Sequence, residues 1–95
     1  MMELDELTRY IKTVLRSAAQ GLVDGSQADV TLFFDELAAD LVEAAAEDDA
    51  ELLAVTIARL RLVEERTRIR ANEAALDVLE DVAKAAFALA KGVLL

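Results

Sequence analysis

The side chains that could carry out chemistry in this sequence are few. The chain contains no histidine and no cysteine, which removes the usual general base, the thiolate nucleophile and the commonest zinc ligands. Ser17 and Ser26 therefore have no imidazole to activate them, and Lys84 stands among alanines and carboxylates. We expect a protein that is not an enzyme, with no catalytic residue, no cofactor and no metal site.

Acidic residues form a row along the predicted second helix. They fall within about 60° of one side at helical spacing, and they are Asp29, Glu36, Asp40, Glu43 and Glu47. Carboxylates on one exposed helix cannot wrap a cation with six or more oxygens, and a solvated face is the usual reason for such a row. The net charge of −9 also permits a second interpretation of this row. In it, the acidic face from Glu36 to Glu47 imitates nucleic acid and binds a basic site on a partner.

Five arginines follow within twelve residues, namely Arg59, Arg61, Arg66, Arg68 and Arg70. Such a cluster could contact phosphates, but the negative net charge opposes a polyanion, and neither a Gly-rich loop nor an aromatic platform accompanies it. We expect no nucleic-acid partner. Instead the arginines are predicted to set the register of a helical hairpin turning near Asp48, in which Glu36 lies level with Arg61 and Asp29 with Arg68.

Composition predicts that helices position all of these residues. The chain has no proline and only three glycines, and Ala, Leu, Arg and Glu are strong helix formers. Residues 1–95 are predicted to form a single all-α domain. The first helix covers about residues 3–20 and ends before Gly21, and the second covers about residues 27–47 and is capped by Ser26.

The third helix is predicted to run without a break over about residues 50–91, with Asp48 or Asp49 as its cap. A single apolar face continues along it, through Leu53, Ile57, Leu60, Thr67, Ala71, Ala74, Val78, Val82, Ala85, Leu89 and Val93. The result is a helical hairpin packed on a long, coiled-coil-like third helix. The alternative is a four-helix bundle with a break near residues 66–72, in which Asn72 caps the fourth helix.

In the long-helix arrangement the apolar surface exceeds what one chain can cover, because the first helix has only about five turns. The excess residues predict a protein interface made of Leu32, Phe33, Val42, Leu76, Leu79, Ala83, Ala86, Phe87, Ala90 and Leu94. We expect a homo-oligomer, most simply a dimer, or a helical protein partner.

The predicted function is therefore that of a non-enzymatic helical assembly, adaptor or scaffold protein. A small acidic inhibitor and a subunit or chaperone of a larger hetero-complex are the alternatives. The acidic N-terminus has no signal-peptide pattern, and the longest apolar run, Ala85 to Ala90, is far too short for a membrane span. A cytoplasmic protein without membrane contact is expected.

Overall fold

Four helices are present in the part of the chain that the computed structural model describes, residues 3–63 and 69–94. They are α1 (Leu4–Ala19), α2 (Gln27–Glu47), α3 (Ala50–Arg61) and α4 (Glu73–Leu94). The fold is all-α, as predicted. None of these helices is long and apolar enough to cross a membrane.

Capping residues end and begin the helices where the sequence predicts. After α1 the chain turns at Gly21, which has a φ of 82°, a value that glycine adopts without steric cost. At the start of α2 the Ser26 hydroxyl accepts a hydrogen bond from the Asp29 N–H (3.1 Å) and donates one to its carboxylate (2.6 Å). The Asp49 carboxylate accepts from two backbone N–H groups in the first turn of α3, at 3.0 and 3.1 Å.

The predicted continuous helix over residues 50–91 is wrong. The helix α3 ends at Arg61, and residues 69–72 are not helical. The alternative prediction, a break near residues 66–72, agrees with the described residues, although 64–68 lie outside them.

Specific hydrogen bonds hold the chain on the far side of this break. Arg70 and Asp24 form an isolated antiparallel bridge, in which each backbone N–H donates to the carbonyl of the other residue. The Asn72 side chain accepts a hydrogen bond from the Ala75 N–H (2.8 Å) and begins α4. Asn72 therefore has the capping role that the four-helix alternative predicts.

The break lets the chain bury apolar groups that a straight helix would leave in water. Val63, Ile69 and Leu76 form a small buried cluster beside it. Burying each large apolar side chain contributes about 1.5–3 kcal/mol, whereas a backbone hydrogen bond contributes about 1 kcal/mol net. A helix over residues 50–91 would be about 63 Å long, but the longest dimension of the molecule is 35 Å.

The helices run alternately up and down, and polar contacts mark the two ends of the bundle. At one end the Asp24–Arg70 bridge joins the α1–α2 connection to the segment before α4. At the other end the Lys91 ammonium lies 2.7 Å from the Asp48 carboxylate in the α2–α3 turn. Among the described helices α1 packs on α2 and α4, so α1 and α4 are antiparallel neighbours.

The core lies between all four helices. From α1 it receives Leu7, Ile11 and Leu15, which are spaced four residues apart and so lie on one side of that helix. Phe34 of α2 is fully buried, and its ring contacts that of Phe33 edge-on at 5.1 Å between centroids. The α4 helix contributes mainly alanines together with Leu79.

Candidate protein-binding surface

Most of the residues predicted to form an interface lie inside the bundle. Six are buried, namely Val42, Leu76, Leu79, Ala83, Ala86 and Ala90. Three more pack against the core and are partly buried, namely Phe33, Phe87 and Leu94. A partner cannot reach the six buried side chains in this bundle, so that part of the prediction is wrong. Leu32 alone of the ten is largely exposed.

The face of α4 that the sequence predicts to be buried points outward instead. Val78, Leu89 and Val93 are 44%, 43% and 40% exposed and Ala85 is exposed, whereas Val82 at the inner edge of this face is partly buried and packs against the core. These five residues are 4, 3, 4 and 4 positions apart, a spacing that places them on one side of a helix. We call them the α4 outer stripe.

The break before α4 explains why the two faces exchange places. In one continuous helix the buried face of α3 would determine which side of α4 points inward. Once the chain leaves the helix, α4 is free to rotate about its axis and to bury a different face. The buried face carries Leu76 and Leu79 together with four alanines, whose small side chains let α4 approach its neighbours closely.

Arg61 connects α3 to one flank of α4. Its guanidinium lies 2.5 Å from the Asp77 carboxylate, 3.1 Å from Glu73 and 3.2 Å from Glu80. Hydrogen bonds to Asp77 and then to Glu80 raise the pKa of Arg61 above the ordinary range of a guanidinium. The charge of Arg61 is therefore directed toward α4 and not toward α2, and the predicted position of Arg61 level with Glu36 stays a prediction.

The outer stripe lies on the other flank of α4, next to α1. On α1, Lys12 and Arg16 face α2 and bind the Asp35 carboxylate at 3.5 and 2.5 Å. At helical spacing Tyr10 falls on the opposite side of α1 from Lys12 and Arg16, and because α1 packs on both α2 and α4, we infer that this side borders α4. It is 49% exposed. Tyr10 and the α4 outer stripe together form what we call the α1–α4 surface.

The other arginines of the cluster have separate positions. The Arg59 guanidinium lies 3.4 Å from the Asp40 carboxylate of α2, so one arginine does face the acidic helix, in the manner predicted for the hairpin. Arg70 is exposed, and its backbone forms the bridge described above. Arg66 and Arg68 lie outside the described residues.

The predicted acidic face is partly neutralised. Asp40 is half-buried beside Arg59. Glu36, Glu43 and Glu47 are exposed, and none forms an ion pair within residues 3–63 and 69–94. The outer side of α2 therefore presents three unpaired carboxylates to solvent.

The structure brings no reactive side chains together in the part it describes. A shallow depression of about 410 Å³ at one end of the bundle is lined by Gly21, Leu22, Val23, Asp24, Arg70, Ala71 and Asn72. It contains neither a serine nor a lysine, and the Ser26 hydroxyl is used in the α2 cap. Over the described residues, His, Cys, Asp and Glu side chains form no group that could hold a metal ion.

In comparisons with known proteins, no family model, curated protein or solved structure matches this chain.

Proposed function

We propose that this protein is a non-enzymatic helical assembly or adaptor protein that self-associates through the α1–α4 surface. One observation carries the proposal: α4 fills the core with one apolar face and still exposes a second. Contiguous exposed apolar surface on a small protein is typical of a binding site. A cytoplasmic location is part of the proposal and is compatible with a chain that has no cysteine.

The exposed apolar side chains are concentrated on this surface. Eight large hydrophobic residues are exposed in the described part of the chain, and four of them belong to it: Tyr10, Val78, Leu89 and Val93. The other four are separated along the chain, with Leu4 on α1, Leu32 on α2, Val55 on α3 and Leu62 just after α3. Single exposed apolar residues need no explanation, but four on one surface do.

Charge also favours this surface for self-association. No acidic residue occurs between Val82 and Leu94, although the whole chain carries −9. The unpaired carboxylates Glu36, Glu43 and Glu47 lie on α2, which is on the opposite flank of α1 from the outer stripe. Two copies that meet through α4 therefore keep these acidic faces apart, which limits like-charge repulsion.

Sedimentation equilibrium over a concentration series tests the proposal. The wild-type chain is expected to show a mass that rises from monomer to dimer in the micromolar range. The double variant Val78→Lys/Leu89→Lys should remain monomeric, because it places charges in the centre of the apolar surface. Its helical circular dichroism should be unchanged, since both side chains are exposed.

The matched control changes residues of the same types on other helices. Val55 is 45% exposed on α3, close to the value for Val78, and Leu32 is exposed on α2. The variant Val55→Lys/Leu32→Lys should associate like the wild type. A wild-type chain that is monomeric at all concentrations would contradict self-association. Binding of a different helical protein by that monomer would support the hetero-complex alternative.

The acidic-inhibitor alternative is also favoured by one observation. The arginine predicted to face Glu36 binds α4 instead, which leaves Glu36, Glu43 and Glu47 without a cation in the described part of the chain. A basic segment of a partner could supply the missing charges.

A defined basic peptide of ten lysines is a suitable probe for this second candidate. If the α2 row is a site, then Glu36→Gln/Glu43→Gln/Glu47→Gln should weaken binding more than Glu3→Gln/Asp5→Asn/Glu6→Gln, which removes three acids from α1. Affinity should fall with added salt in either case. Equal losses from the two triple variants would show a general charge effect and not a site.

A further inference from the structure

We propose that the second copy docks antiparallel, with the outer stripe of one α4 across the outer stripe of the other about a two-fold axis near Ala85. This inference rests on the proposed self-association and specifies its geometry. It follows from the order of side chains along α4, from their sizes and from the charges beside them.

The outer stripe is nearly the same when read in either direction. An antiparallel copy centred near Ala85 places Val78 opposite the second Val93 and Val82 opposite the second Leu89. The stripe is about 22 Å long at 1.5 Å per residue, so both pairs and their two symmetry copies fit along it. A two-fold interface uses the same patch on both subunits, and this order of residues is complementary to itself.

Side-chain size favours the antiparallel arrangement over a parallel one. A parallel two-fold pair would put Leu89 against Leu89 and valine against valine, and the spacing between the helices would be uneven. The antiparallel pair matches each leucine with a valine, so the distance between the two helices is similar on both sides of Ala85. Small residues at the crossing point allow the helix axes to approach to about 8–10 Å.

The surroundings of the stripe leave room for a second helix. Gly92 lies beside the stripe on the outer side of α4, and a Cβ placed there would have no atom within 4 Å. Ala85 and Ala88 are also small and exposed. Within α4, Asp81 is the acidic residue that lies three residues from Val78 and four from Ala85. An antiparallel pair separates the two Asp81 side chains along the axis, whereas a parallel pair places them at the same level.

Tyr10 extends the contact onto α1. A pair of helices alone buries less than the roughly 800 Å² per partner of a standard interface. Tyr10 is half-exposed, and on the side of α1 that we infer to border α4 its ring can be covered by the α4 of the second copy. Tyrosine is enriched at interfaces because its ring is apolar and its hydroxyl can remain in water. The total area is small, so we expect a dissociation constant in the micromolar range, roughly −8 kcal/mol.

Disulfide trapping tests the geometry directly, because the wild-type chain has no cysteine. A disulfide requires Cα atoms within about 7 Å. Ala85→Cys should form a covalent dimer with itself. Val78→Cys and Val93→Cys should each remain uncrosslinked alone and should crosslink when mixed in equal amounts. Ala39→Cys, which is exposed on α2, is the control and should not crosslink.

The outcomes separate the geometry from the proposed function. Crosslinking of Val78→Cys with itself and of Val93→Cys with itself would overturn the antiparallel arrangement and leave self-association through α4 intact. A wild-type dimer in sedimentation with no crosslink at any α4 position would overturn the α4 contact. A wild-type monomer would overturn the proposed function and this inference together.

Discussion

At the scale of single residues, polar side chains in this protein hold the ends of helices and connect neighbouring helices. Asp49 and Asn72 cap α3 and α4 through their side-chain oxygens. Asp48 takes a left-handed conformation with φ 51° at the end of α2, which a short acidic side chain tolerates better than most residues. These polar residues therefore have structural roles.

Arg61 forms three ion pairs with α4, so its substitution should destabilise the packing of α4. We expect Arg61→Gln to lower the urea midpoint of unfolding more than Arg59→Gln. Arg61 forms ion pairs with three carboxylates on α4, whereas Arg59 makes one exposed pair at 3.4 Å, and an exposed pair contributes about 0.2–1 kcal/mol. Equal midpoints for the two variants would show that the Arg61 cluster does not stabilise α4.

The pH dependence of the Arg61 contribution follows from the direction of its pKa shift. A cation whose pKa is raised on folding is stabilising at every pH below its unfolded value, and the contribution disappears as pH rises through the folded value. Because the pKa of Arg61 is raised from an already high value, the difference in urea midpoint between wild type and Arg61→Gln should be the same at pH 7 and pH 10. A difference that shrinks over this range would contradict the assignment.

At the scale of helices, the central observation is the orientation of α4. A helix with two apolar faces can bury either one, and local propensity does not choose between them. The structure buries the face with Leu76, Leu79 and Phe87 and exposes the face with Val78 and Leu89.

Two leucine-to-alanine substitutions on α4 test this orientation. Leu79 is fully buried and Leu89 is not. Leu79→Ala should lower the free energy of unfolding by about 2–5 kcal/mol, because it leaves a cavity in the core. Leu89→Ala should change it by less than about 1 kcal/mol when measured on the monomer. Chemical denaturation at low protein concentration measures both. The reverse order of effects would mean that α4 has the orientation predicted for one continuous helix.

At the scale of the whole molecule, the chain closes into a single bundle in which α4 contacts each of the other three helices. The radius of gyration is 12.5 Å, which equals the value of roughly 12.4 Å expected for a compact domain of this length. The core between α1 and α2 therefore includes side chains of α4, and α1 and α2 do not form a separate folding unit.

Truncation at two positions checks this dependence. A chain that ends at Glu73 lacks α4 and should lose cooperative unfolding, because Phe34 and Leu7 would become exposed. A chain that ends at Lys91 keeps the buried α4 residues through Ala90 and should still unfold cooperatively. Thermal melts followed by circular dichroism compare the two. A folded hairpin in the shorter chain would support the long-helix arrangement.

The sequence by itself determined the features that depend on neighbouring residues. Periodicity and composition predicted an all-α fold, and the end of α1, the start of α2 and the start of α3 followed from Gly21, Ser26 and Asp49, respectively. These signals are local because a cap or a turn acts within about four residues of the chain. The apolar stripe of α1 was also predictable, since that helix has a single apolar side.

Only the tertiary structure decided where the long apolar segment breaks and which face of α4 is buried. Neither proline nor glycine interrupts residues 50–91, so no local signal required a break. The break is stabilised by contacts between distant parts of the chain, such as Arg70 with Asp24 and Leu76 beside Val63. The gain comes from burying apolar area against other helices, and that quantity depends on the positions of all four helices at once. For the same reason, the candidate binding surface in the structure is the outer stripe of α4, whereas the sequence predicted the face of α4 that is buried.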